Sequence, residues 1–314
     1  MILLANFGGP RSLDEVKPFL QALFTDRDVI RTRFPDWIHR LIFNRVANKR
    51  ALRIRSEYAH LGGKSPIYEN TEALAHLLAE KTGRKVVTFH RYLPETHAAS
   101  IAAITEPTLV LPLFPQFSYA TTGSIARLLA RHTNRLLWLE SYAGHPAFIR
   151  AYAQRVRSFL QEHNFLEEET LLLCSAHGLP KSFIDEGDPY ETECQLSFRT
   201  LLSHFPQTQG HLAYQSKVGR EEWLTPATEV ACREIPARKN AVIVPITFTS
   251  DHIETLVEIE QQYIPLLAER GMRALRCPAL NLEPYWVDAL AELTQETNLC
   301  TTQMLIRNVK PLYN

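Results

Sequence analysis

Two strand-to-loop junctions in the second half of the chain carry residues fit for chemistry. One reads Thr170-Leu-Leu-Leu-Cys-Ser-Ala-His-Gly-Leu-Pro180, the other Ala241-Val-Ile-Val-Pro-Ile-Thr-Phe-Thr-Ser-Asp-His-Ile-Glu-Thr-Leu256. Each is a short apolar run, as in a buried parallel strand, that stops abruptly at polar residues. Ligands of open α/β sheets sit just beyond the carboxyl ends of the strands. The first junction delivers His177 there, and the second delivers His252 and Glu254. An imidazole paired with a carboxylate can hold a divalent metal, move protons, or do both.

Each residue also has an ordinary explanation. His177 can bond a neighbouring carbonyl, although Gly178 and Pro180 enforce a turn that projects it from the strand end. Asp251-His-Ile-Glu254 has capping-box spacing, so Glu254 can cap the following helix. Glu258 stands four residues on, in the same helical row, where two carboxylates repel; such a row suits a path for cations or protons. Glu260 and Gln262 fit a solvated face. Lys49-Arg50, Tyr58 and Gly62-Gly-Lys-Ser-Pro66 form a basic, hydroxylic cluster that can bind carboxylates or phosphates, or simply face water. Asn6-Phe-Gly-Gly-Pro10 lets backbone approach a flat or bulky ligand, and Trp223 is a core anchor or an aromatic wall. No dinucleotide fingerprint and no P-loop occurs.

Apolar runs of strand length alternate with helical patterns to position these residues. Strands are expected at 2–7, 85–90, 109–113, 135–139, 170–175, 210–215, 241–248 and 273–277. Helical periodicity separates them, notably over 13–24, 72–81, 124–132, 146–160, 191–204 and 254–267. The alternation predicts an α/β fold of two doubly wound, Rossmann-like halves whose parallel sheets face a central cleft. The first half is expected over residues 1–134, with a helical, Arg-rich lip at 25–64, and the second over 135–280. A terminal segment, 281–314, is expected to return a helix (283–293) to the first half.

Composition narrows the function. At 45 % hydrophobic and 22 % charged residues, the 314-residue chain is ordinary globular protein. Lys plus Arg and Asp plus Glu are 34 each, so no global field draws in nucleic acid. No apolar run approaches the ~20 residues that span a bilayer, and no signal-peptide pattern precedes the first strand. The five cysteines (174, 194, 232, 277, 300) are scattered without a Cys-x-x-Cys, which fits a reducing cytosol and argues against a zinc site or disulfide framework.

Taken in order, Asn-Phe-Gly-Gly-Pro, Gly-Gly-Lys-Ser-Pro, Arg91-Tyr92, Leu111-Pro-Leu-Phe-Pro-Gln-Phe-Ser118 with Thr121-Thr-Gly-Ser124, Ser-Ala-His-Gly-Leu-Pro, Gly187-Asp-Pro-Tyr190, Tyr214-Gln-Ser-Lys-Val-Gly219 and Phe248-Thr-Ser-Asp-His-Ile-Glu-Thr-Leu256 resemble the ferrochelatase family over nearly the whole chain. The resemblance implies a two-lobed chelatase fold. It implies insertion of ferrous iron into a porphyrin, protoporphyrin IX or coproporphyrin III, with release of two protons, a terminal step of heme biosynthesis. It assigns catalysis and metal contact to His177 and Glu254, with Glu258 behind them; the next position in that row, commonly acidic, is Gln262 here. It assigns porphyrin contacts to Phe7, Leu23, Val29, Arg91, Tyr92, Trp223 and His252, and carboxylate contacts to Arg50 and Ser65, with Tyr58 near. The iron–sulfur cluster of some members is not expected, since Leu299-Cys-Thr-Thr supplies one terminal cysteine; no other cofactor is expected, iron being the substrate. A cytoplasmic enzyme follows, with loose membrane association through the lip as one option. The competing readings are a chelatase for another tetrapyrrole, such as cobalt into sirohydrochlorin, and a non-catalytic tetrapyrrole-binding protein on the same fold.

Overall fold

The nine strands of the computed structural model, which describes residues 1–217, 219 and 221–307, are β1 Ile2–Asn6, β2 Val86–His90, β3 Thr108–Pro112, β4 Leu136–Trp138, β5 Thr170–His177, β6 Gln209–Gln215, β7 Asn240–Val244, β8 Arg273–Arg276 and β9 Cys300–Thr301. They form two sheets, ordered β2-β1-β3-β4-β9 and β6-β5-β7-β8. All neighbours are parallel except β4 and β9, which run antiparallel. The chain correspondingly divides into two compact units, residues 1–140 with the chain from 291 onward, and Ser141–Leu290.

Both sheets repeat one winding. The second strand of each lies to one side of the first, and the third and fourth to the other. Right-handed crossovers then place helices on both faces. The winding reverses between β1 and β3 in one sheet and between β5 and β7 in the other, the positions where such sheets bind ligands beyond their carboxyl ends. The strands read as near-continuous apolar runs because both faces are covered: every residue of β1, β3 and β7 is buried. Trp138, Phe89 and Val110 anchor one core, and Leu171, Ile243, Ile259 and Leu267 anchor the other. Each such side chain contributes roughly 1.5–3 kcal/mol by leaving water.

Three expectations are corrected. The strand expected to open the second half is β4, which pairs with β3 in the first sheet. The run expected as strand 241–248 stops at Val244, because Pro245 has no N–H for the ladder. The helix expected to return to the first half, found at Pro284–Leu293, carries Trp286, which packs at 6.3 Å from Tyr142 and 6.2 Å from Phe148 in the second unit. It is β9 that joins the first sheet, held by a 2.8 Å bond from Trp138 Nε1 to Thr302 Oγ1. Two residues gave no sequence cue to that edge strand. The expected C-terminal segment extends beyond the described residues from 308 onward.

The lip is a single long helix, Asp36–His60. Its inner stripe is His39, Ala47, Ala51 and Tyr58, all buried. Its exit turn needs left-handed backbone twice in succession, with φ of +85° at both Gly62 and Gly63.

Candidate active site

In the second unit, β5 runs two residues past its expected end at Ser175 and ends on His177. Three bonds fix this residue. Its N–H donates to Thr247 Oγ1 (3.1 Å), its carbonyl accepts from the Tyr190 hydroxyl (2.9 Å), and its Nδ1 lies 2.9 Å from Glu254 Oε2. The next residue must be glycine, because a Cβ at 178 would lie 2.7 Å from the Gln215 carbonyl and 3.0 Å from the Trp223 ring. The loop after β7 brings Thr247, Phe248, His252 and Glu254 to the same place. Tyr152 secures that loop by donating to the carbonyls of Pro245 (2.6 Å) and Phe248 (3.0 Å). Phe248 lies edge-on to His177 at 6.3 Å and packs on His252 at 4.6 Å.

Glu254 opens a π-helical segment, Glu254–Tyr263, that continues as an α-helix, Ile264–Ala268. π-helical turns are rare and concentrate at functional sites. Pro265 cannot donate a backbone hydrogen bond into the turn before it, which removes one α-helical bond at the changeover. The capping-box explanation of Glu254 fails on both of its bonds. The Asp251 N–H donates to Asn281 Oδ1 (2.8 Å), and the Asp251 carboxylate accepts from Thr255, Arg276 and Asn281 side chains. Glu254 instead faces two imidazoles, His177 at 2.9 Å and His252 at 3.6 Å.

Burial pushes the Glu254 carboxyl upward, but the charge of His177 and the hydrogen bonds from His177 and His252 outweigh it and hold the carboxyl well below the usual range. Glu254 is therefore ionised at neutral pH and accepts only. His177 Nδ1 donates to it, which leaves Nε2 as the ring nitrogen available for proton exchange.

Glu258 stands in the expected row, yet its oxygens serve Ser216 and Tyr263. Oε1 accepts from the Ser216 N–H (2.9 Å) and from the Tyr263 hydroxyl, and Oε2 from Ser216 Oγ (2.6 Å). It anchors the helix to the end of β6. Gln262 is exposed, and Glu260 accepts from Arg276 Nε at 2.9 Å. Among the described residues no group of three or more His, Cys, Asp or Glu side chains is arranged to hold a metal. Trp223 is partly buried against Gly178, its strand neighbour being Pro180; Val218, in the motif between Tyr214 and Gly219, lies outside the described residues.

In the first unit the strand ends converge on a second polar centre. Phe7 follows β1 and packs at 4.9 Å from Tyr92 and 4.6 Å from Phe114. One oxygen of the buried Asp26 takes three donors: Arg91 Nη2 (2.7 Å), the Tyr92 hydroxyl (3.0 Å) and Ser124 Oγ (2.6 Å). Arg91 Nε also donates to Ser124 Oγ (2.8 Å), so the guanidinium is held in one plane. Burial and the Asp26 charge push the Tyr92 hydroxyl up, keeping it a donor. Asp28, 3.0 Å from Arg127, is pushed up to about 6 by burial and by Asp26. Leu23 and Val29 flank this centre in sequence and are half-buried. Arg50 is exposed, its guanidinium 5.6 Å from the Phe24 ring.

The ferrochelatase family model matches residues 1–298. The chain belongs to the ferrochelatase family. Ferrochelatase of Chlamydia abortus is 44 % identical over 98 % of this chain and 98 % of its own. That of Chlamydia felis is 44 % identical over 97 % of this chain and 98 % of its own. Among solved structures, CbiX, the terminal enzyme of siroheme biosynthesis in denitrifying bacteria, covers 74 % of this chain and 94 % of its own with a TM-score of 0.52 at 19 % identity. SirB from Bacillus subtilis with Fe3+ covers 73 % of this chain and 89 % of its own with a TM-score of 0.51 at 15 % identity. Both share the Rossmann-like chelatase fold. The family inserts ferrous iron into a porphyrin in heme biosynthesis, and this chain is such an enzyme.

The ferrochelatase residues anticipated from sequence fall into three sets. His177 and His252 are both brought to Glu254, with Trp223 against Gly178, the residue after His177. Phe7, Arg91 and Tyr92 gather around Asp26. Tyr58 and Ser65, at 3 % and 2 % exposed, lie inside the fold, Tyr58 on the lip helix's inner stripe and Ser65 under Gly9. Sequence reasoning missed Asp26, Ser124, Thr247, Arg276 and Asn281. Ser124 and Thr247 lay inside motifs already quoted, without a spacing that would single them out. Tyr190 likewise stood in Gly-Asp-Pro-Tyr with no role until its bond to the His177 carbonyl was seen.

Proposed function

We propose that His177 and Glu254 carry out the proton and metal steps of iron insertion. The observation that supports this is the 2.9 Å contact of His177 Nδ1 with an ionised Glu254. Insertion removes two pyrrole N–H protons and forms bonds from the porphyrin nitrogens to Fe2+, so charge balances with two protons released. The Nε2 lone pair of His177 accepts a pyrrole proton. The imidazolium so formed is stabilised by Glu254, which lowers the cost of placing positive charge beside the arriving cation. His252, 3.6 Å from the same carboxylate, gives that proton a second imidazole to pass to. Phe7, Leu23, Val29, Arg91, Tyr92 and Trp223 are assigned to contact with the macrocycle, and Arg50 to a porphyrin carboxylate.

No resident cofactor enters this scheme. No described helix is long and apolar enough to cross a membrane. We place the enzyme in the cytoplasm, with loose membrane association through the outer face of the lip helix, where exposed Trp37, Leu41 and Leu52 alternate with Arg45, Lys49 and Arg53. Balanced charge argues against nucleic acid as a partner.

The test is anaerobic incubation of Fe2+ and porphyrin with the His177→Ala variant, following the porphyrin spectrum. Loss of turnover by about 10²-fold or more, with porphyrin binding near normal, is expected of a proton acceptor. Turnover within about tenfold of wild type, a barrier change of ~1.4 kcal/mol, overturns the assignment.

A further inference from the structure

A buried ionic clamp sits directly upstream of Glu254. Arg276, the last residue of β8, donates from Nη1 to Asp251 Oδ1 (2.8 Å) and from Nε to Glu260 Oε1 (2.9 Å). It therefore grips the segment three residues before Glu254 and six residues after it. Asp251 and Arg276 are each only 10 % exposed. Asp251 also takes Asn281 Nδ2 (2.7 Å) and Thr255 Oγ1 (2.8 Å), and its N–H goes to Asn281 Oδ1 (2.8 Å). Asn281 adopts the left-handed conformation, φ 48°, and its own N–H returns to the Thr249 carbonyl (2.8 Å). Every tie runs to the segment that carries Glu254, and Arg276 itself is in register with Ile243 on the central strand β7.

This arrangement costs more than helix stability requires. A buried ion pair gains little net stability over apolar residues of the same size, so its usefulness lies in geometry. The segment it grips is π-helical, with i→i+5 bonds that an α-helical rewinding would exchange for shorter ones. Such a rewinding would rotate Glu254 about the helix axis, away from His177. Arginine suits the task because its planar fork fixes two carboxylates at once, which a lysine ammonium on a flexible stem does not.

We propose that Arg276, together with Asp251 and Asn281, is a positioning residue that holds the π-helical turn in register and so keeps Glu254 within reach of His177. The inference rests on the catalytic reading of Glu254. The test compares Arg276→Lys, Glu260→Ala and Glu254→Gln in the anaerobic insertion assay, with melting temperature and amide hydrogen exchange over residues 252–263. Arg276→Lys is expected to lower kcat about tenfold, ~1.4 kcal/mol of barrier, with the porphyrin KM unchanged and faster exchange across the turn. Glu260→Ala, an exposed change, should lower kcat in the same sense, by about threefold, without moving the melting temperature. Wild-type kcat in Arg276→Lys and Glu260→Ala overturns the inference, as does a loss that falls equally on kcat and KM. Should Arg276→Lys fail to fold, wild-type kcat in Glu260→Ala alone overturns it. Near-normal turnover in Glu254→Gln refutes the catalytic reading instead, which separates the two failures.

Discussion

Glu254→Gln separates the charge of Glu254 from its shape. The amide oxygen still accepts from His177 Nδ1, so the 2.9 Å contact survives while the negative charge is lost. A hydrogen bond to a charged group is worth roughly 1.5–3 kcal/mol. His177 and Glu254 are 36 % and 33 % exposed, so solvent screens the pair and the low end applies. Because a neutral hydrogen bond remains, about 1 kcal/mol of stability or less should be lost, a shift of roughly 2–4 °C in Tm. The effect on chemistry is expected to be far larger. Removing a positioned proton-transfer partner typically costs on the order of 10²–10⁴ in rate, and the porphyrin KM should hardly change. The assay is anaerobic Fe2+ insertion, with thermal melts in parallel from pH 3 to 9. Glu254 is held below its unfolded value of about 4.3. Its stabilising contribution is therefore complete above that pH and lost as pH falls through the folded value. The Tm difference between the two proteins should be present at neutral pH and close as pH falls below about 4. A lowered Tm with near-normal turnover would refute the catalytic reasoning and return Glu254 to a structural role.

Asp28→Asn should behave in the opposite sense. With its folded value raised to about 6, Asp28 favours folding below about pH 4, and that contribution is lost as pH rises through 6. The variant should gain about 1–3 kcal/mol at pH 8, with the gain shrinking towards pH 4 in denaturant melts. Arg50→Ala should raise the porphyrin KM about tenfold, the loss of one charge-assisted contact, and esterifying the porphyrin carboxylates should abolish the difference. Trp37→Ser with Leu41→Ser should release the enzyme from anionic lipid vesicles in a sedimentation assay without altering kcat; vesicle binding equal to wild type refutes the lip as the attachment surface.

What the sequence determined by itself was local. Apolar runs of strand length, broken by turn residues, located eight of the strands because parallel strands covered on both faces must be apolar throughout. His177 was legible because Gly178 and Pro180 force the chain to turn there, and Glu254 because its run of Asp, His and Glu follows a strand. The order of motifs was enough to indicate the ferrochelatase family, and several of them, Asn-Phe-Gly-Gly-Pro and Ser-Ala-His-Gly-Leu-Pro among them, lie at strand ends where ligands bind.

The tertiary structure decided which partners those residues have. Asp251 and Glu254 have the spacing of a capping box, and only the presence of Arg276 and Asn281 from later in the chain shows that neither makes its capping bond. Glu258 looks like a second free carboxylate until Ser216 and Tyr263 occupy it. Tyr58 reads as part of a polar cluster in the sequence, and it is the phase of the lip helix that puts it on the inner stripe with Ala47 and Ala51. Strand β9 is too short to show any period, and it exists because β4 leaves an edge for it to pair with. In each case the deciding partner is distant in the chain or belongs to a register that helical period alone does not fix. A hydrogen bond or ion pair acts over about 3 Å in space, whatever the separation in sequence.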